Sequence, residues 1–434
     1  MMVVSEAANR GRAAMIGGVV HWAIAAVLLA AAAQADITGD AEDPCAHASA
    51  DIAVGACSAQ IGSGELSGEA LATAYYNRAG AKDGTGDKAG AIADYTEALR
   101  IDPGFVQALN DRGIVHGQTG DFDLAIADFT AAIALNPADA HAFINRGLAY
   151  EKKGDYDKAI ADLSAAIALE PGSAFAFNDR GLAYKNSGDL RRAIVDYDEA
   201  LRLQPDSEVA LVNRGVAYEG LRDHPRAIAD FDAAIKLDSS DASAFANRGT
   251  AFLGLGNAAR AIADFDEAIG RNPDNAAFYN NRGTAYESQR KFTLAIADYD
   301  EAARRDPDNA GIFFNRGNAW RQEGDLDRAI ADYTQALSLK PRYAEAFENR
   351  CVAYGRRGAY DKAVADCTQA IALNPRDAQA YANRAAAFAL MGEPARAAAD
   401  RAAAARLNPA LYPCAKRFAA KGTEHSENCL TRRN

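Results

Sequence analysis

The sequence predicts an all-α solenoid of about ten stacked helix–turn–helix units with short capping segments, and three observations predict it. First, an Asn-Arg or Asp-Arg pair returns every 34 residues, placing arginines at 78, 112, 146, 180, 214, 248, 282, 316, 350 and 384 without an insertion. Second, an aspartate column keeps the same interval from Asp94 to Asp400. Third, two columns are alanine in every unit, one from Ala91 to Ala397 and one from Ala98 to Ala404. Self-similarity at such a period marks a unit too small to bury its own apolar face, so that neighbours must stack.

The chain opens on an expected export signal, residues 1–35. Arg10 and Arg12 give a basic start, Ile16 to Ala33 is an apolar run, and Ala33-Gln34-Ala35 is a small-x-small cleavage site. The competing reading is an uncleaved membrane anchor, because the apolar run is near the lower limit for a span. Cleavage leaves a mature protein without membrane insertion, beyond the inner membrane and periplasmic.

Residues 36–71 read as a linker and a degenerate half-repeat cap. Ala53-Val54-Gly55-Ala56-Cys57-Ser58 resembles Ala363-Val364-Ala365-Asp366-Cys367-Thr368 further along the chain.

Residues 72–411 hold the ten units, and Ala140 to Ser173 represents them. Phe143, Gly147 and Tyr150 are spaced for one helical face. Gly154 ends that helix, since glycine accepts the left-handed conformation needed there. Asp155 and Asp157 then place carboxylates at the start of a second helix, where its dipole favours them. Ala159, Leu163, Ala166 and Ile167 form the buried face of that helix. Asn136-Pro137 and Glu170-Pro171 close the units, because proline cannot continue a helix. Small residues let two helix axes approach. The expected gap-fillers are Phe143, Phe177, Phe245, Tyr279, Phe313 and Phe347 on first helices, and Tyr95, Phe129, Tyr197, Phe231, Phe265, Tyr299 and Tyr333 on second helices. Residues 412–434 form a C-terminal cap or tail.

In this pattern the chain resembles the tetratricopeptide repeat family over about residues 72–411. The family order of aromatic, small, aromatic, small, aromatic, small and proline appears as Phe177, Gly181, Tyr184, Ala193, Tyr197, Ala200 and Pro205. The resemblance implies a right-handed superhelix whose first helices line a concave groove. Departures are few. Arg222 and Arg290 replace the inter-helix glycine, Ser239 replaces the terminal proline, Lys82 and His116 stand in aromatic positions, and Cys351 and Cys367 take the places of a glycine and an aromatic.

The six cysteines form three local pairs, Cys45 with Cys57, Cys351 with Cys367 and Cys414 with Cys429. An even count in an exported chain predicts disulfides. With no CxxC and no histidine cluster, a metal centre is not expected.

The candidate binding residues are the asparagines before the arginines: Asn145, Asn213, Asn247, Asn281, Asn315, Asn349 and Asn383, with Asn77 at the head of the column. They lie about 100° round the first helix from the buried stripe. A row of carboxamides can grip an extended backbone whatever its side chains. The column resembles the asparagine ladder in the superhelix of O-linked N-acetylglucosamine transferase, which holds peptide backbone. The other reading is that asparagine only tolerates a crowded polar groove. Asp111 and Asp179 interrupt the column. The chaperone carboxylate clamp does not match, because none of the ten residues one before the column is Lys. The Arg and Asp columns read as a structural ladder, since a half-buried charge persists when paired.

A net charge of −12 argues against a phosphate-backbone partner. The histidines are scattered, and no phosphate-binding glycine loop, GxSxG or HExxH is present. No enzyme activity and no cofactor is expected. The function expected is a periplasmic scaffold that holds a peptide or a partner protein segment in the groove. The alternative is an assembly role in a cell-envelope complex through the convex face or the edges.

Overall fold

A computed structural model describes residues 43–411. The export signal, most of the linker before the first cysteine, the tail 412–434 and the Cys414–Cys429 pair lie outside the described residues. Among the described residues the regular elements are α-helices, with one 3-10 turn at Pro409–Leu411.

The chain divides into two units, residues 1–239 and 240–434. In the first, helices Pro44–His47 and Ala50–Ser63 precede five helix pairs, from Gly68–Gly84 with Lys88–Ile101 to Glu208–Gly220 with His224–Leu237. The second has five pairs, from Ala242–Gly254 with Ala258–Arg271 to Ala378–Leu390 with Pro394–Leu407. The division falls at Ser239, the junction that lacks the unit-closing proline.

Local chemistry sets the helix ends. The Asp139 side chain caps Ala140–Lys152 by accepting from the amides of His141 and Ala142. Asp155 caps the next helix through the Lys158 amide. Such caps satisfy N-terminal amides that have no partner within the helix. Between the two helices Gly154 has φ 77°. Arg222 and Arg290 adopt the same left-handed backbone, φ 61° and 57°, in place of glycine. That conformation costs a residue with a Cβ roughly 1–2 kcal/mol.

In six of the ten helix pairs the core is a glycine–aromatic lock. Second-helix aromatics Phe129, Tyr197, Phe231, Phe265, Tyr299 and Tyr333 are completely buried. Each faces the first-helix glycine of its own pair. A Cβ built on Gly215 would lie 2.6 Å from Phe231 Cε1, and one on Gly181 2.7 Å from Tyr197 Cε1. The ring therefore occupies the space a side chain would need, and the glycine is required for volume rather than for backbone freedom. The first-helix aromatics differ from expectation. Phe245 and Tyr279 are buried, whereas Phe143, Phe177, Phe313 and Phe347 are only half-buried. Each lies under the arginine three residues on, as Phe143 does 5.6 Å from the Arg146 guanidinium carbon. One helical turn sets that stacking.

Candidate binding face

The Arg and Asp columns form one continuous frame within each unit. Arg146 Nε donates to Asp162 Oδ2 at 2.7 Å and Nη2 to Oδ1 at 2.8 Å. The same two-pronged pairing recurs from Arg78–Asp94 to Arg384–Asp400. The remaining nitrogen reaches back to the preceding second helix: Arg146 Nη1 donates to Thr130 Oγ1 at 3.0 Å, and Arg214 Nη1 to Asp198 at 2.7 Å. Within a unit these arginines thus tie their own pair together and fasten it to the pair before. Arg78 makes that backward bond to Ser58 in helix Ala50–Ser63, as Arg384 does to Thr368. Ser58 and Thr368 are the residues that follow Cys57 and Cys367, so the first cap supplies what a repeat supplies.

The aspartates are buried, and the proton affinities of Asp94, Asp298 and Asp332 follow their partners. Burial opposes the charge on Asp94, but hydrogen bonds from both Arg78 and Lys82 outweigh it and hold the carboxyl below its usual range. Lys82 Nζ lies 2.8 Å from Asp94. Asp298 and Asp332 have no such lysine, and burial pushes both up despite the bonds from Arg282 and Arg316. Lys82 therefore replaces an aromatic by adding a second cation. His116, in the same register, is buried, and desolvation lowers its pKa although Asp128 opposes the shift.

The asparagine column is less open than its helical angle predicts. Asn145 is buried, and Asn213, Asn247, Asn281, Asn315, Asn349 and Asn383 are half-buried. A turn of 100° away from the core stripe still faces the first helix of the neighbouring repeat. Asn213 Nδ2 donates to Asn178 Oδ1 at 3.1 Å, Asn315 Nδ2 to Asn280 Oδ1 at 2.9 Å, and Asn383 Nδ2 to Glu348 Oε1 at 3.4 Å. Each acceptor stands one before the column in the preceding repeat. Asn349 donates to Asn318 and Asn281 accepts from Asn280. Asn77, Asn145 and Asn247 make no side-chain hydrogen bond to the described residues. The column is thus part tie between repeats and part uncommitted. Asp111, one of its interruptions, accepts from the Tyr76 hydroxyl at 2.7 Å. Burial raises its carboxyl to about 6, against the lowering by that hydrogen bond.

Beside the column in the second unit lies a polar line. The Tyr299 hydroxyl donates to Glu287 at 3.1 Å. The Tyr333 hydroxyl donates to Asn318 at 2.8 Å and accepts from Arg321 Nε at 3.3 Å. Phe314 adds an apolar surface, its ring centroid 4.9 Å from that of Tyr343. Glu348 is pushed up to about 7, chiefly by burial and then by the charges of Asp377 and Glu345.

Two of the three cysteine pairs expected from sequence lie among the described residues, and both are in bonding contact. The sulfurs of Cys45 and Cys57 are 2.09 Å apart and those of Cys351 and Cys367 2.07 Å. Cys351 and Cys367 stand where other repeats have the glycine and its aromatic, so they meet in the same interior space. The reading from sequence missed two further buried columns. One is Ala149, Ala183, Ala217, Ala251, Ala285, Ala319, Ala353 and Ala387, and the other includes Ala142, Ala176, Phe278 and Ile312. The first was legible as unbroken alanine at the repeat period; Phe278 breaks the second with a bulky side chain that is 1% exposed.

Among curated proteins none matches the chain. Among solved structures, it is similar to a tetratricopeptide repeat protein from Parabacteroides merdae, 21% identical with a TM-score of 0.49 over 57% of this chain and 98% of that one. Yeast Tom70 is 18% identical with a TM-score of 0.45, covering 82% and 88%. MamA is 30% identical with a TM-score of 0.35, covering 37% and 95%. Models of the tetratricopeptide repeat match residues 72–105, 110–174, 178–242, 247–310, 282–346 and 344–377. The chain belongs to the tetratricopeptide repeat family, whose fold is typically a non-catalytic scaffold for protein–protein contact.

Proposed function

We propose that this protein is a non-enzymatic scaffold of the periplasm that holds a peptide or an extended partner segment along its first helices. Uncommitted carboxamides on those helices carry the reading. Asn247 has no side-chain bond to the described residues, and the Asn281 amide nitrogen has none of the ties that Asn213 and Asn315 make. A carboxamide that offers a donor and an acceptor to solvent can bind backbone independently of sequence. Export rests on the leader-like residues 1–35, and closure of Cys45–Cys57 and Cys351–Cys367 as disulfides fits an oxidising compartment. No described helix is long and apolar enough to cross a membrane.

The double substitution Asn247→Ala with Asn281→Ala tests the groove. A pull-down with crosslinking from periplasm supplies the partner, and its affinity for wild type and variant is then compared. Loss of about tenfold or more at an unchanged melting temperature is expected for two lost hydrogen bonds. Unchanged affinity overturns the groove. An assembly role through the edges draws on exposed Leu135, Leu169 and Leu237 at the ends of second helices, and that binding would survive the double substitution.

A further inference from the structure

One register escapes the Arg–Asp frame: the residue four after the core glycine. In the second unit it includes Glu287 and Arg321, and each of these is bonded to the buried tyrosine of its own pair. In the first unit it includes Asp83 and Glu219, bonded to Lys88 and His224, and also Glu151 and Lys185, whose bonding is incomplete. Glu151 Oε1 accepts from Asn186 Nδ2 at 2.7 Å. Its Oε2 is enclosed without a hydrogen-bond partner among the described residues, with Lys152 Nζ 3.5 Å away and the side chain only 9% exposed. Tyr197, completely buried, has a hydroxyl that likewise lacks a partner among the described residues. Lys185 is the third member. Burial lowers its pKa, and Glu151 acts on it through space in the opposite sense, with no hydrogen bond contributing.

The Asn186 bond sets helix Ala174–Ser187 beside Glu151, and the Tyr197 ring packs on Gly181 of that helix, one turn before Lys185, so three polar groups stand on adjacent repeats with bonding capacity left over. Leaving a buried donor or acceptor unsatisfied costs about 1–3 kcal/mol each, so the arrangement favours whatever completes it. Both roles are on offer, an acceptor at Glu151 and donors at Lys185 and Tyr197. Local charge is balanced, with Glu151 and Asp179 against Lys152 and Lys185. A carboxylate ligand would meet Glu151, and a cation would meet Lys185. A neutral group that accepts at one end and donates at the other meets neither penalty.

We propose that Glu151, Lys185 and Tyr197 form a recognition site for an uncharged amide, the side-chain carboxamide of a glutamine or asparagine in the segment held along the first helices. The ligand carbonyl accepts from the Lys185 ammonium and the Tyr197 hydroxyl, and its amino group donates to Glu151 Oε2. The four-carbon stem of Lys185 supplies the adjustment that admits it. The proposal rests on the groove reading and adds a side-chain preference to it.

Four fluorescein-labelled decapeptides of alanine and glycine, differing only in a central Gln, Glu, Lys or Leu, test it by fluorescence anisotropy on the full chain. The Gln peptide is expected to bind about tenfold tighter than the other three, because a site built for hydrogen bonds rejects ligands that leave its groups unpaired. Lys185→Met and Tyr197→Phe should bring the Gln peptide towards the Leu peptide, with circular dichroism and melting temperature confirming the fold. If Lys185→Met does not fold, Tyr197→Phe alone decides, since it removes one oxygen from a fixed ring. Asn247→Ala should weaken all four peptides alike. Equal binding of the four peptides by wild type, or a Gln preference that survives both substitutions, overturns the amide site, leaves the groove standing and assigns these atoms to ordered water. No binding of any peptide overturns the groove and the amide site together.

Discussion

Tyr197 and Tyr333 occupy the same register of two repeats, one in each unit, and both are completely buried. Their hydroxyls differ. Tyr333 is held by Asn318 and Arg321, and burial raises its pKa to about 12 while Arg321 limits the rise. Tyr197 has no hydrogen-bond partner for its hydroxyl among the described residues, and burial drives its pKa well above the usual value. The frame around them is the same: a glycine against the ring, an arginine and aspartate clasped beside it. What differs is two residues, one and four after the glycine: Asn318 and Arg321 in one, Leu182 and Lys185 in the other. A guanidinium reaches the hydroxyl with a fixed planar fork, whereas an ammonium is one hydrated point charge on a flexible stem. The repeat therefore has two parts, a recurring interior that sets the fold and a variable face that presents different polar groups from repeat to repeat.

The largest effect should come from breaking the interior. Phe265→Ala should cost about 3–5 kcal/mol, because it empties space that the neighbouring glycine cannot fill. Urea denaturation measures the loss, and an unchanged midpoint would show that the lock is not where the stability lies.

The next effect is a pH dependence on the variable face. Glu348 titrates at about 7 rather than near 4.5. The folded state therefore holds a proton that the unfolded state has lost between those values, and stability falls as pH rises through that window. The tighter hold on that proton sets a ceiling of about 3 kcal/mol, reduced by the partial solvent access of this side chain. Glu348→Gln should flatten the melting-temperature profile between pH 5 and 8, with its gain at the alkaline end.

Removing each hydroxyl tests the two tyrosines directly. Tyr333→Phe breaks two hydrogen bonds and should cost about 1–2 kcal/mol. Tyr197→Phe deletes an unsatisfied hydroxyl and should be neutral or slightly stabilising by calorimetry. Equal losses at both sites would mean that Tyr197 is bonded as Tyr333 is. The smallest effect is at a turn: Arg222→Gly should stabilise by about 1 kcal/mol, since glycine holds φ 61° without strain.

Much of the interior was legible because its causes repeat. The alanine columns, the aspartates and the second-helix aromatics return every 34 residues and are buried where the period puts them. The candidate face was only partly legible. Helical angle placed the asparagines away from the core stripe, but it carries no information about the next repeat. Asn213 and Asn315 turned out to be tied to Asn178 and Asn280, and Asn145 to be buried. Phe143 and Phe177 were expected to fill gaps, and they lie half-buried under arginines.

By itself the sequence determined the unit, its two helices, their buried faces and the partner types of each charge, because these depend on spacing within one 34-residue repeat. Only the tertiary structure decided which polar groups remain uncommitted. Whether Asn247, Glu151 or Tyr197 has a partner depends on side chains roughly a repeat away in the chain and adjacent in space, and on whether a guanidinium or an ammonium is the one that must span the gap.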